Sequence, residues 1–167
     1  MDLLDIKELI KDILKYAVLI IVILFVVTYL FSLQQVMGSS MEPNLNNNDI
    51  LLLNKVKYRL QDIKRGDVVA LKFKDTNYLV KRVIGIPGDR VEFVDNTLYL
   101  NGKKQDEPYL DDVTTEDFSL KDLGYDVIPE DMYFVLGDNR ENSSDSRELG
   151  LVAREDILGK TMLGIWP

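Results

Sequence analysis

The sequence predicts a mostly β protein carried on one apolar N-terminal helix: a transmembrane span, then an antiparallel β-barrel or sandwich-like domain with a small insertion. Three observations lead there. No residue from Tyr16 to Met41 is charged, and residues 16–33 read YAVLIIVILFVVTYLFSL. Beyond residue 34 the chain breaks into short runs rich in Val, Ile, Tyr and Phe, the composition of strands. Those runs are separated by turn dipeptides, notably Pro87-Gly88 and Asn101-Gly102, the second of them a strong hairpin signal.

The apolar stretch comes first. Eighteen helical residues cover about 27 Å, close to the ~30 Å of a bilayer's hydrocarbon core. Tyr16, Tyr29 and Phe31 stand near its ends, where interfacial aromatics are favoured,. A cleaved leader would have a shorter apolar region followed by small residues; here Phe31, Leu33, Gln34 and Gln35 follow. A buried core helix is the weaker alternative, the stretch being apolar on every face. Lys7, Lys11 and Lys15 precede the span, and no Lys or Arg lies between Gln34 and Asn54. The positive-inside rule therefore predicts a cytoplasmic N-terminus and an extracytoplasmic remainder. The expected organisation is a cytoplasmic segment over 1–15, forming a short amphipathic helix, an anchor over 16–33, and a β-rich domain over 34–167.

Within that domain the predicted strands are Ile50–Leu53, Asp67–Phe73, Tyr78–Ile84, Arg90–Val94, Thr97–Leu100, Met132–Leu136 and Leu158–Ile165. A helical turn is expected over Leu60–Arg65. The region 103–128 reads as a small insertion, with the acidic stretch 106–126 as a loop over the β core.

Composition narrows the chemistry. The 167 residues include neither cysteine nor histidine. That removes disulfides, thiol nucleophiles, the usual zinc sites and any Ser-His-Asp triad. A hydrolase without a metal would need Lys, Asp, Glu or a terminal amine as its base. Twenty basic residues against 28 acidic ones give a formal charge of −8 without a Lys/Arg block. Nucleic acid is thereby disfavoured as a partner.

Three segments carry candidate chemistry. Gly38-Ser39-Ser40-Met41-Glu42-Pro43 is a Gly/Pro-bounded turn. Ser40 lies at most about 25 Å of extended chain beyond Leu33, so it is tethered near the outer membrane surface. In the second segment, residues 78–89 (YLVKRVIGIPGD), strand alternation puts Leu79, Lys81 and Val83 on one face and Val80, Arg82 and Ile84 on the other,. A free lysine titrates near ~10.4 and is no base at neutral pH, but burial lowers it, by up to about 3–5 pH units. The ordinary alternative is a lysine whose stem lies on apolar surface and whose amine reaches water. The third segment, residues 137–147 (GDNRENSSDSR), crowds Asp138, Arg140, Asp145 and Arg147 together. A rigid ion-paired structure is expected there rather than a plain polar loop. Its spacing fails the EF-hand calcium pattern.

In this order, GSSMEPNL after the anchor, GDVVALKF (66–73), YLVKRVIGIPGD and GDNRENSSDSR resemble the type I signal peptidases of bacteria. The short stretch between Pro87 and Gly137 resembles the compact Gram-positive form. The resemblance implies a membrane-anchored serine endopeptidase with a Ser-Lys dyad, without metal or cofactor. It would remove signal peptides from exported preproteins at the plasma membrane, cutting after small residues of the Ala-x-Ala type. Its partners would be those preproteins and the lipid bilayer.

By the same resemblance Ser40 is the nucleophile, Lys81 the general base and Ser143 a hydroxyl orienting the amine. Asp145 and Arg147 form a supporting ion pair, with Asp138 supporting in the same motif. A carboxylate touching Lys81 would raise its pKa, so Asp145 is expected to engage Arg147. The oxyanion hole would use the Ser40 backbone N–H, with Gly38 beside it. Some relatives have a Ser at position 38 and use its side chain, which Gly38 lacks. Asn44 stands where Thr is usual, altering local hydrogen bonding without touching the dyad. Val36, Met37, Leu45 and Val80 flank the motifs as substrate-pocket candidates, with core packing as the alternative role. Two other readings compete: a non-catalytic anchored β module, and a self-cleaving SOS-response repressor with a related Ser-Lys core. The second would carry a DNA-binding segment in place of the membrane span.

Overall fold

The computed structural model describes residues 3–54, 62–73, 77–111 and 113–164. The chain begins with one continuous helix, α1 (Leu3–Leu30). Residues 1–15 are thus not a separate helix; the described part of that segment runs unbroken into the apolar stretch. Over Ile6–Leu30 the helix is long and apolar enough to cross a membrane, with a mean hydropathy of 2.6 in its most apolar part and no residue of that part buried. It ends three residues before the span drawn from the sequence. Phe31, Ser32 and Leu33 already pair with a neighbouring strand.

The rest is mostly antiparallel β. The strands are β1 (Phe31–Gln35), β2 (Ile50–Asn54), β3 (Val68–Phe73), β4 (Asn77–Gly85), β5 (Val91–Val94), β6 (Thr97–Leu100), β7 (Lys103–Gln105), β8 (Phe118–Ser119), β9 (Met132–Leu136), β10 (Val152–Ala153) and β11 (Ile157–Gly164). One sheet runs β1-β2-β11-β3-β4-β9-β10 and the second β7-β6-β5-β8. A single turn of helix, α2 (Ser146–Leu149), follows β9.

All seven predicted strands reappear: Thr97–Leu100 and Met132–Leu136 with the same bounds, the other five with ends moved by one residue, Ile165 of the last lying outside the described residues. The β1, β7, β8 and β10 strands were not foreseen. β1 was hidden inside the apolar run, and the other three are two or three residues long. The helical turn expected over 60–65 falls partly outside the described residues, and 62–64 are not helical. Asn101 and Gly102 take φ of +56° and +74°, the left-handed pair that a tight two-residue hairpin needs.

Alternation along β9 explains the layering. Tyr133 and Val135 join one buried cluster with Ile63, Val69, Leu71, Val83 and Ile157. Phe134 and Leu136 point the other way, into a cluster with Ile84, Val91, Phe93, Leu98, Leu100, Leu120 and Ile128. The second cluster packs the small sheet against β4 and β9 of the large one. Region 103–128, read as a loop from sequence, supplies β7, β8 and a 3₁₀ turn (Leu120–Leu123) to that small sheet.

Phe134 is fully buried and stacks on Phe118 with ring centroids 5.2 Å apart. Phe134→Ala is expected to cost about 3–5 kcal/mol, measurable as a lower urea midpoint in detergent.

Candidate active site

Lys81 sits in the middle of β4, opposite Val69 of β3. It is 1% exposed, among the largest fully buried side chains of the protein. The strand dictates this: Leu79 and Val83, two residues to either side, pack into the same apolar cluster, and Lys81 must share their face. Burial pushes its amine down from the ordinary lysine value to about 8; the Asp145 carboxylate opposes the shift and Arg147 adds to it. The Lys81 Nζ donates to Ser143 Oγ at 2.8 Å, a neutral partner that leaves the charge uncompensated.

The motif loop after β9 supplies the other groups. Leu136 stands opposite Arg82, so the chain leaves β9 beside Lys81. At Gly137 it comes very close to two neighbours. A Cβ there would overlap both the Ser143 hydroxyl and the Ser40 carbonyl oxygen. Glycine is therefore what lets the Ser40 turn and Ser143 meet. Asn139 then fastens that turn: its N–H donates to the Ser40 carbonyl at 3.1 Å and its amide to the Ser39 carbonyl at 3.2 Å. Asn142 adds a bond from its amide to Ser39 Oγ at 3.0 Å. Ser40, Lys81 and Ser143 are thus gathered around Gly137. Among the described residues no hydrogen bond joins the Ser40 and Lys81 side chains.

The acidic groups nearby are engaged elsewhere. Asp145, 1% exposed, is held by Arg147 through two bonds of 2.9 Å and by the Gly137 N–H at 3.1 Å. Burial would raise its carboxyl, but Arg147 outweighs this and holds it below the usual carboxylate range. Asp138 is fully buried and takes a fork from Arg82, Nε to Oδ1 at 2.8 Å and Nη2 to Oδ2 at 2.6 Å. Arg140 turns away from both. It pairs with Glu107 at 2.5 Å and bonds the Thr115 hydroxyl and the Gly137 carbonyl. The expected ion-paired loop thus has one internal pair, Asp145–Arg147. Asp138 and Arg140 find their partners in β4 and in the insertion, because successive residues of the loop point in different directions.

Sequence reasoning gave Arg82 no role. An arginine alternating with Val80 and Ile84 on a buried face needs a carboxylate, and that was the available signal. Tyr109 was also missed. Its ring lies 4.0 Å under the Arg82 guanidinium, and burial, then Glu107, raise its hydroxyl above the ordinary tyrosine value. Nothing in the irregular acidic stretch announced it.

The remaining candidates scatter in exposure. Val36 is buried and Met37 is 83% exposed, while Leu45 and Val80 are half-buried. Gly38 has φ +90° and its N–H is already given to Asn47 Oδ1 at 2.8 Å. The Ser40 N–H makes no hydrogen bond among the described residues. Nor do three His, Cys, Asp or Glu side chains cluster among them to hold a metal ion.

A helix fit to anchor in a membrane, a β domain and a buried amine bonded to a hydroxyl define a class of helix-anchored β proteins with a lysine-hydroxyl centre. The model of one family, described as signal peptidase, peptidase S26, matches residues 7–166. The chain belongs to that family. It is 40% identical over 174 residues to signal peptidase IB of Staphylococcus aureus strain Mu50, covering 96% of this chain and 91% of that protein. It is 42% identical over 170 residues to signal peptidase I P of Bacillus subtilis subsp. natto, with the same coverage. The crystal structure of a signal peptidase I from Enterococcus faecalis V583 superposes with a TM-score of 0.55 at 37% identity, covering 60% of this chain and 97% of that one.

The buried amine has a consequence for stability. Below pH 8 Lys81 is protonated both folded and unfolded, and the folded state carries a burial cost of about 3 kcal/mol for a shift from 10.5 to about 8,. Above pH 8 the folded form loses its proton before the unfolded one, so stability should rise with pH until the unfolded lysine also titrates. Lys81→Met is therefore expected to be more stable than the parent at pH 7 by about 1–3 kcal/mol, since loss of the Ser143 bond offsets part of the gain. The advantage should fade above pH 8. Urea midpoints across pH 6–10 measure it.

Proposed function

We propose that this protein is a membrane-anchored serine endopeptidase that removes signal peptides from exported preproteins, with Ser40 as nucleophile and Lys81 as general base. The observation that carries the reading is a buried amine poised near 8, bonded to a neutral hydroxyl and set across Gly137 from the Ser40 turn. Membership of the signal peptidase family supports the substrate class.

In this mechanism the neutral Lys81 amine takes the Ser40 hydroxyl proton as Oγ attacks the scissile carbonyl. The tetrahedral oxyanion is stabilised by the Ser40 N–H. The tetrahedral intermediate collapses by breaking the C–N bond, and the leaving amine takes the proton from Lys81. An acyl-enzyme on Ser40 remains. Lys81 then accepts a proton from water as its oxygen attacks the ester; the bond between the acyl carbon and Ser40 Oγ breaks, and Lys81 returns the proton to Oγ, restoring the hydroxyl and the neutral amine. Ser143 orients the amine throughout, and Arg147 offsets part of the upward pull that Asp145 exerts on its pKa. Ser40 and Lys81 would come into hydrogen-bond contact when substrate is bound, as catalytic contacts often tighten only then.

The anchor sets the place of reaction. With Lys7, Lys11 and Lys15 on the cytoplasmic side, α1 crosses the plasma membrane once and the β domain lies outside. A preprotein's apolar segment lies in the bilayer and presents an extended region after it. Val36, Met37, Leu45 and Val80 bound the shallow pockets that accept small side chains of the Ala-x-Ala type.

Ser40→Ala or Lys81→Ala should each abolish cleavage of a secretory precursor in detergent while the protein stays folded by circular dichroism. Normal turnover by either variant would end the dyad assignment. The rate of the parent enzyme should climb as pH approaches and passes 8, as the neutral fraction of Lys81 grows,. A kcat/KM profile flat from pH 6 to 9 would show that another group is the base.

A further inference from the structure

We propose that Asn44 is a positioning residue for the Ser40 turn, acting as a clip that joins the turn to the motif loop and to the insertion at one point. The Asn44 amide donates twice. One bond goes to Asp138 Oδ2 at 2.9 Å and one to the Tyr109 carbonyl at 2.6 Å. Asn44 itself stands at the surface, yet the carboxylate it meets is fully buried. Asp138 also receives the Arg82 fork, so this donor completes a set of charge-assisted bonds on one buried group.

The clip acts on Ser40 because the two lie in one tight turn. The Glu42 N–H bonds the Ser39 carbonyl at 3.1 Å and the Leu45 N–H the Met41 carbonyl at 2.9 Å. A turn closed in this way moves as a unit. Its other end is held by the Asn139 N–H on the Ser40 carbonyl, and Asn139 directly follows Asp138. Asn44 and Asn139 therefore tie the turn to adjacent residues of the loop after β9, one at each end. Lys81 depends on neither tie, being fixed by β4 and Ser143. Asn44 thus sets where the hydroxyl stands relative to an amine that is already in place. The Tyr109 bond brings in the insertion, whose Tyr109 ring lies against the same Arg82.

The catalytic part of this inference rests on the proposed peptidase reaction; the positional part does not. The test uses the full-length protein in detergent with Asn44→Ala, Asn44→Asp and Asn44→Thr. Two readouts are taken: hydrogen exchange of the Asn139 amide and steady-state cleavage of a secretory precursor. Asn44→Ala should speed Asn139 exchange about tenfold and lower kcat by about tenfold, with KM and the ascent of the pH profile near 8 unchanged. Asn44→Asp, which sets a carboxylate against Asp138, should be worse than Ala. Asn44→Thr, with one hydroxyl donor, should recover part of the loss. The Val91 amide, in the small sheet, should exchange at the parent rate in all three.

Unchanged Asn139 exchange in Asn44→Ala would overturn the proposal whatever the enzyme cleaves. An unchanged kcat, or a pH profile displaced because Lys81 is no longer shielded, would overturn it too. Faster Asn139 exchange in a protein whose parent form cleaves no precursor would support the positional role and count against the peptidase reading alone.

Discussion

The structure turns on keeping one amine out of water without giving it a counter-ion. Lys81 is 1% exposed at the centre of a seven-stranded sheet. An ammonium there is held at the expense of stability unless a carboxylate meets it, and a carboxylate would cancel the lowered pKa. The protein meets both demands by giving three carboxylates of this region arginines of their own. Asp145 has Arg147, Asp138 has Arg82 and Glu107 has Arg140. What remains for the amine is a hydroxyl, Ser143. The three ion pairs thus do more than brace a loop: they keep negative charge occupied at a fixed distance from the lysine.

This arrangement needs three stretches of chain that lie far apart in sequence. Strand β4 contributes Lys81 and, on its other face, Arg82. The loop after β9 contributes Gly137, Asp138, Asn139, Ser143 and Asp145. The turn between β1 and β2 contributes Ser40. β4 and β9 are neighbours, so sheet pairing alone aligns the first two. The Ser40 turn arrives from the far edge of the same sheet and is fixed by hydrogen bonds instead. Asn139 gives two of those bonds to its carbonyls and Asn142 one to the Ser39 hydroxyl, Asn44 gives two outward, and the close approach to Ser40 is possible because Gly137 leaves room.

Much of this was readable in the sequence. The β character, the apolar helix and most strand positions follow from alternation and turn dipeptides, because each strand buries at least one face. The face shared by Leu79, Lys81 and Val83 was legible for the same reason. Less legible were strands such as β7 and β10, too short to show a period, and β1, whose residues are as apolar as the helix before them. Partners were the hardest part. The crowding of Asp138, Arg140, Asp145 and Arg147 suggested ion pairing within the loop, whereas Asp138 reaches Arg82, 56 positions away. Tyr109 and Glu107 had no local signal, since their value lies wholly in what they touch. Asn44 was visible as a departure from the family pattern, but its two bonds depend on a tertiary neighbour.

The passage from α1 to β1 has a further consequence. The helix ends at Leu30 and the strand begins at Phe31, with no residue between, and that strand is paired to β2 over its whole length. A flexible stalk would let the domain wander above the lipid and sample many heights. A helix that becomes a sheet edge without slack holds the domain at one elevation, set by bond lengths. For a polypeptide threaded through the same bilayer, the point that meets the site would then be counted off from where its own apolar stretch emerges.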